Sequence, residues 1–210
     1  MELTTALASI IIALTLGAMS PGPSFVMVAR TALAISRRDA LAAALGMGAG
    51  GALFACFALL GLLALLAAVP VLYTALRIAG GIYLLYLGVN IWRAARQPLS
   101  LGDAEALAGP RVGRSFLTGF ATQISNPKTA VVYASVFASL LPPHVPAPVL
   151  VALPVTIFLI ETTWYAIVAV ALSAPAPRAR YLAAKTWIDR SAGTIMVLLG
   201  GKLLVDSQQP

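Results

Sequence analysis

Cysteine and histidine are nearly missing from this chain: Cys56 is the sole thiol and His144 the sole imidazole among 210 residues. A single cysteine excludes an intrachain disulfide and any thiolate metal cluster. Set in an apolar run, Cys56 reads as a small buried hydrophobe. A single histidine in a proline-rich turn leaves no serine–histidine or histidine–metal constellation for hydrolysis. No enzyme and no cofactor are expected.

Charge is just as scarce. Only 10% of the residues are charged and 60% are hydrophobic, with a mean hydropathy of +0.93, whereas a soluble domain carries about 25% charged residues. The few charges cluster, which leaves long runs with almost none. Apolar runs of about 18 residues or more read as transmembrane helices. An all-α integral membrane protein is expected. The net charge of +7 then points to basic loops that set orientation and not to nucleic acid. The start, Met1-Glu2-Leu3, has no basic region before its apolar run, and reads as a retained first helix and not a signal peptide.

Six apolar segments run about 3–29, 40–69, 71–92, 115–141, 145–173 and 187–205, each long enough to cross a hydrocarbon core about 30 Å thick. "LAAVPVLY" turns between the second and third, and "LLPPHVPAPV" between the fourth and fifth. Arg30, Arg37 and Arg38 lie in the 30–39 loop, and Arg93, Arg96, Arg111 and Arg114 in the 93–114 loop. Arg178, Arg180, Lys185 and Arg190 lie in the 174–190 segment. The turns between these loops hold no basic residue. The positive-inside rule makes the three basic loops cytoplasmic and turns both termini outward. Three spans per half place the second half in the membrane upside down relative to the first, as a 3+3 inverted repeat. The whole chain, 1–210, reads as one transporter domain, with half-repeats at about 1–92 and 115–210 and a cytoplasmic linker at 93–114.

Two of the six spans are interrupted. "LGAMSPGPSFVMV" places Ser20-Pro21-Gly22-Pro23-Ser24 inside the first span, and "TQISNPKTAVVY" places Asn126-Pro127-Lys128 inside the fourth. Proline inside a helix removes a hydrogen bond and costs about 3 kcal/mol. Ser-Pro and Asn-Pro read instead as an N-cap followed by proline at the first helical position. Each break is then the start of a half-helix at membrane depth, with free N–H donors and a positive dipole end that attract an anion such as a carboxylate. Paired breaks in corresponding spans are the best sequence pointer to a transporter's substrate site. Ser20 to Ser24 and Asn126 to Lys128 are therefore the candidate substrate-binding residues.

Glu161, in "FLIETTWYAIV", is the only acid placed inside a span, since Asp39, Asp103 and Asp189 fall in the basic loops. An intramembrane acid marks a proton path by default, and a carboxyl paired with Lys128 is the structural alternative. Thr162, Thr163, Trp164 and Tyr165 would line a cavity or pack. In the second span Ala42, Gly46 and Gly50 recur every fourth residue, which suits close helix packing. Small faces of this kind leave room for a homodimer.

Five motifs, in order along nearly the whole chain, carry a resemblance: "PGPSFVMVAR", "LGMGAGG", "GGIYLLYLG", "SNPK" and "SAGTIMVLLGGKLL". The chain resembles the LysE/RhtB family of bacterial amino-acid exporters. The resemblance implies a six-helix inner-membrane exporter of amino acids or close derivatives, driven by the proton gradient. Pro21, Gly22 and Pro23 match its first signature, and Asn126, Pro127 and Lys128 its second. Glu161 matches a fifth-span position that is often acidic. Gly51 departs from the pattern, standing where many relatives carry an acid. The competing functions are a metal-ion exporter, for which the spans offer few ligands, and a passive channel.

Overall fold

The computed structural model describes residues 3–20, 22–68, 70–97, 111–142 and 145–206. Pro21, His144 and most of the 93–114 linker lie outside them. The described residues form eight α-helices and no strand: α1 (Leu3–Met19), α2 (Pro23–Ala34), α3 (Arg37–Ala68), α4 (Pro70–Ala94), α5 (Val112–Ile124), α6 (Pro127–Leu140), α7 (Ala147–Leu172) and α8 (Pro175–Asp206). The Arg37–Gly61 part of α3 and the whole of α7 are each long and apolar enough to cross a membrane. A third such length arises if α1 and α2, bent by 51° at their junction, count together.

The first and fourth apolar segments are both split, into α1 with α2 and into α5 with α6. Asn126 is the N-cap of α6, its side chain accepting from Lys128 N–H at 3.0 Å, with Pro127 in the first turn. This matches the Asn-Pro reading. The Ser-Pro reading of the first break is corrected. The second half-helix starts at Pro23, with Gly22 as an N-cap that supplies no side-chain bond. Ser20 instead closes α1, its N–H reaching the Leu16 carbonyl at 3.1 Å. Of two prolines two residues apart, the later one occupies the first turn, where a missing N–H leaves nothing unpaired.

A second correction concerns the 174–190 segment, which is helix and not loop. Its charges disguise it. Lys185 and Asp189 form a buried i,i+4 ion pair at 2.8 Å, and Lys185 and Thr186 both donate to the Ala95 carbonyl at the end of α4. Asp189 is thus a buried acid in α8. Asp39 is also buried. Its carboxylate accepts from Ser36 Oγ (2.6 Å), Ser115 Oγ (2.8 Å) and Arg111 N–H (3.0 Å), tying the start of α3 to the start of α5.

Small residues set the helix spacing. A Cβ on Gly88 would stand 2.6 Å from the Gly193 carbonyl oxygen, and one on Gly200 2.7 Å from that of Gly81, so α4 and α8 run backbone to backbone. Gly46 and Gly50 lie against α5, whereas Gly48 and Gly51 face α7. The glycine-rich stretch of α3 is therefore a packing surface on two sides, as small residues permit.

Apolar burial falls into two clusters. One gathers Ile10, Leu14, Leu59, Leu84, Val136, Phe137, Leu153, Ile157 and Met196. The other gathers Phe25, Val28, Ala40, Met47, Tyr165, Val168 and Leu172. Both α3 and α7 contribute to each cluster, and between their two contributions lie Gly48 to Gly51 and Glu161. Buried Ser20, Ser24, Gln123, Asn126, Thr129 and Glu161 sit at the seam. Large apolar side chains such as Phe57, Val151, Leu159 and Leu198 face outward, as a lipid-facing surface requires.

Candidate functional site

The seam is where the two chain breaks meet. Ser24, in the first turn of α2, donates to Gln123 Oε1 at 2.6 Å and accepts from Asn126 Nδ2 at 2.9 Å. Gln123, in the last turn of α5, donates through Nε2 to Glu161 Oε2 at 2.6 Å. Tyr133, on α6, donates to Glu161 Oε1 at 2.8 Å. A continuous chain of hydrogen bonds therefore links Asn126, Ser24, Gln123, Glu161 and Tyr133, across four helices and both halves of the sequence. Glu161 is 3% exposed, and both of these partners are uncharged.

Lys128 does not pair with Glu161. Its ammonium donates to the carbonyls of Ser20 (2.8 Å) and Gly17 (3.3 Å), at the C-terminal end of α1. A cation is favoured there by the helix dipole and satisfies carbonyls that have no intrahelical donor. Its aliphatic stem lies over Gly22, where a Cβ would stand 3.4 Å from Lys128 Cδ. One side chain from the second break thus closes over the first.

Around these groups is a small cavity of about 20 Å³, lined among others by Ser20, Gly22, Ser24, Asn126, Lys128 and Glu161. That is room for about one water, so in this conformation the site is too small for a larger molecule. Six of the nine candidate site residues are brought together there. Pro21 lies outside the described residues. Pro23 and Pro127 have exposed side chains and are absent from the cavity wall. They shape the backbone and contribute no surface to this cavity. Tyr165 lines the cavity too, while Thr162 packs against Gly48.

Two members of the network, Gln123 and Tyr133, were not expected. Gln123 carried a faint signal, an amide inside an apolar run and one turn before Asn126. Tyr133 carried none, because nothing in the sequence distinguishes it from packing aromatics. Gly51 and Glu161, noted separately in the sequence, occupy one place in space: a Cβ on Gly51 would lie 2.5 Å from Glu161 Oε2. Among the described residues no three His, Cys, Asp or Glu side chains come together to hold a metal.

Residues 15–207 match the family model of the LysE type translocator. The chain belongs to the LysE type translocator family. The threonine efflux protein of Salmonella typhimurium is 34% identical over 192 residues, covering 89% of this chain and 91% of that relative. That of Escherichia coli K12 is 31% identical over the same shares. A homoserine/homoserine lactone efflux protein of Salmonella typhi is 26% identical over 194 residues, covering 90% of this chain and 91% of its own length. No solved structure matches the chain. As a LysE type translocator it is an integral membrane transport protein, which accords with the apolar exterior and the polar seam.

Proposed function

We propose that this translocator exports a small neutral amino acid of the threonine or homoserine class across a bacterial inner membrane, in exchange for protons. The observation that carries this reading is the seam: one buried carboxyl, Glu161, hydrogen-bonded through Gln123 and Ser24 to Asn126 at the second of two interrupted helices. The efflux proteins similar to it supply the substrate class. In this reading α1 with α2 and α5 with α6 each make one of six membrane crossings, arranged as a 3+3 inverted repeat with both termini outside. The half-helix starts at Pro23 and Pro127 receive the substrate carboxylate. Glu161 carries the proton, and moving one charge across 100 mV supplies about 2.3 kcal/mol.

The test is threonine and homoserine export from an exporter-deficient bacterium and from everted vesicles with an imposed pH gradient. The parent protein should accumulate both. Glu161→Gln keeps size and hydrogen bonding but cannot titrate, so it should lose accumulation while retaining substrate exchange between equal pools. Full pH-driven pumping by Glu161→Gln would remove the proton role. Reporter fusions in the 93–114 loop should be active only inside the cell, and activity outside would remove the orientation.

A further inference from the structure

A second, wider space of about 710 Å³ lies between α2 and α5. Val26 and Met27 line it together with Arg30, Arg111 and Arg114. Gly22 lines this space and the smaller cavity alike. The two are therefore neighbours at a residue with no side chain, and the stem of Lys128 lies across that point. We infer that the wide space is the vestibule through which the cargo's carboxylate reaches the inner site, and that Lys128 is the gate at its inner end.

The inference rests on the export reading given above. Guanidinium groups bind carboxylates in paired, charge-assisted contacts. Among the described residues the charged side chains lining this cleft are all basic, and such a surface raises the local concentration of anions. The vestibule has room for a hydrated amino acid, whereas the inner cavity holds about one water, so the cargo must wait outside until the wall between them moves. Lys128 is the movable part of that wall. Its ammonium is held by two neutral carbonyls, those of Ser20 and Gly17. A carboxylate is the stronger partner. Its arrival draws the ammonium off the end of α1, uncovers Gly22 and joins the two spaces.

The arginines could equally hold the phosphate of an anionic lipid, and the experiment separates the two sources. The full-length protein carries Cys56→Ala and Thr118→Cys (Thr118 lines the vestibule) and is reconstituted in vesicles of neutral lipid. A sulfonate-bearing thiol reagent should modify Thr118→Cys, and threonine should slow that reaction. Arg111→Gln with Arg114→Gln should raise KM for threonine about tenfold and leave the maximal rate within about twofold, the signature of lost binding without lost turnover. Gly22→Leu should block export and leave Thr118→Cys as reactive as before. An unchanged KM together with no protection by threonine overturns the vestibule. A KM effect seen only in anionic vesicles assigns the arginines to lipid and overturns it as well.

The gate has its own readout, which survives failure of the export reading. A parent protein that exports neither threonine nor homoserine removes that reading alone. Thr129→Cys then probes the inner cavity that Thr129 lines. The reagent should reach it slowly with Lys128 present and much faster with Lys128→Ala. Equal rates overturn the gate.

Discussion

The two chain breaks do the same thing by different means. At the second, the local sequence is sufficient: Asn126 caps the new helix and Pro127 fills its first turn. At the first, Gly22 offers no side-chain cap, and its extended backbone (φ −158°) is open to any residue. What the first break lacks is supplied by the second. Lys128 takes up the carbonyls at the end of α1, and Asn126 donates to Ser24 at the start of α2. Where a helix can be interrupted cheaply, then, is a local matter. What satisfies the loose ends is decided by whatever packs against them, because unpaired backbone groups are tolerated only in contact with protein or water.

This asymmetry can be broken experimentally, and the largest effect is expected at Gly51. Gly51→Ala puts a methyl group 2.5 Å from Glu161 Oε2, so the carboxyl must shift from its place between Gln123 and Tyr133. Threonine export should fall to background with the protein still inserted. Export near the parental level would show that this network does not serve transport.

Next comes Asn126→Ala, which should damage both breaks at once. A lost N-cap alone costs about 1 kcal/mol, and Ser24 loses its donor besides. A fall in detergent melting temperature together with a clear loss of export is the expected pair of results. A change in one without the other would mean that Asn126 serves only its own helix.

Asp39→Asn tests a tie that lies away from both breaks. Hydrogen bonds to a charged group are worth about 1.5–3 kcal/mol, and Asp39 receives three of them, from Ser36, Ser115 and Arg111. Lower thermal stability with KM unchanged is expected, and a selective KM effect would place Asp39 in the substrate path. The smallest effect belongs to Gly22→Ala. The added Cβ meets Lys128 Cδ at an ordinary 3.4 Å and the backbone there accepts any residue, so export should change by less than about twofold. A large loss would mean that Gly22 needs conformational freedom in another state of the transport cycle.

Much of this was legible beforehand. The apolar runs, the proline breaks and the acid in the fifth segment announce themselves, because lipid leaves a narrow choice of residues and every exception stands out. The 174–190 segment was not legible. Arg178, Arg180, Lys185 and Arg190 look like a loop, and only the docking of Lys185 on Ala95 and Asp189 shows why a charged stretch stays helical. Tyr133 was equally hidden, since the partner of its hydroxyl lies 28 positions away on another helix.

By itself the sequence determined that the chain is helical and apolar, where its helices break, and that Glu161 is out of place among its neighbours. These follow from spacing, proline geometry and the cost of charge in an apolar run, all of which act over one or two turns. Only the tertiary structure decided that α2 starts at Pro23 and not Pro21, and that Lys128 caps α1 rather than pairing with Glu161. It also decided that Gly51 clears the space the carboxyl fills. The last two of these choices are made by atoms more than 100 positions away in the chain, and no local pattern records them.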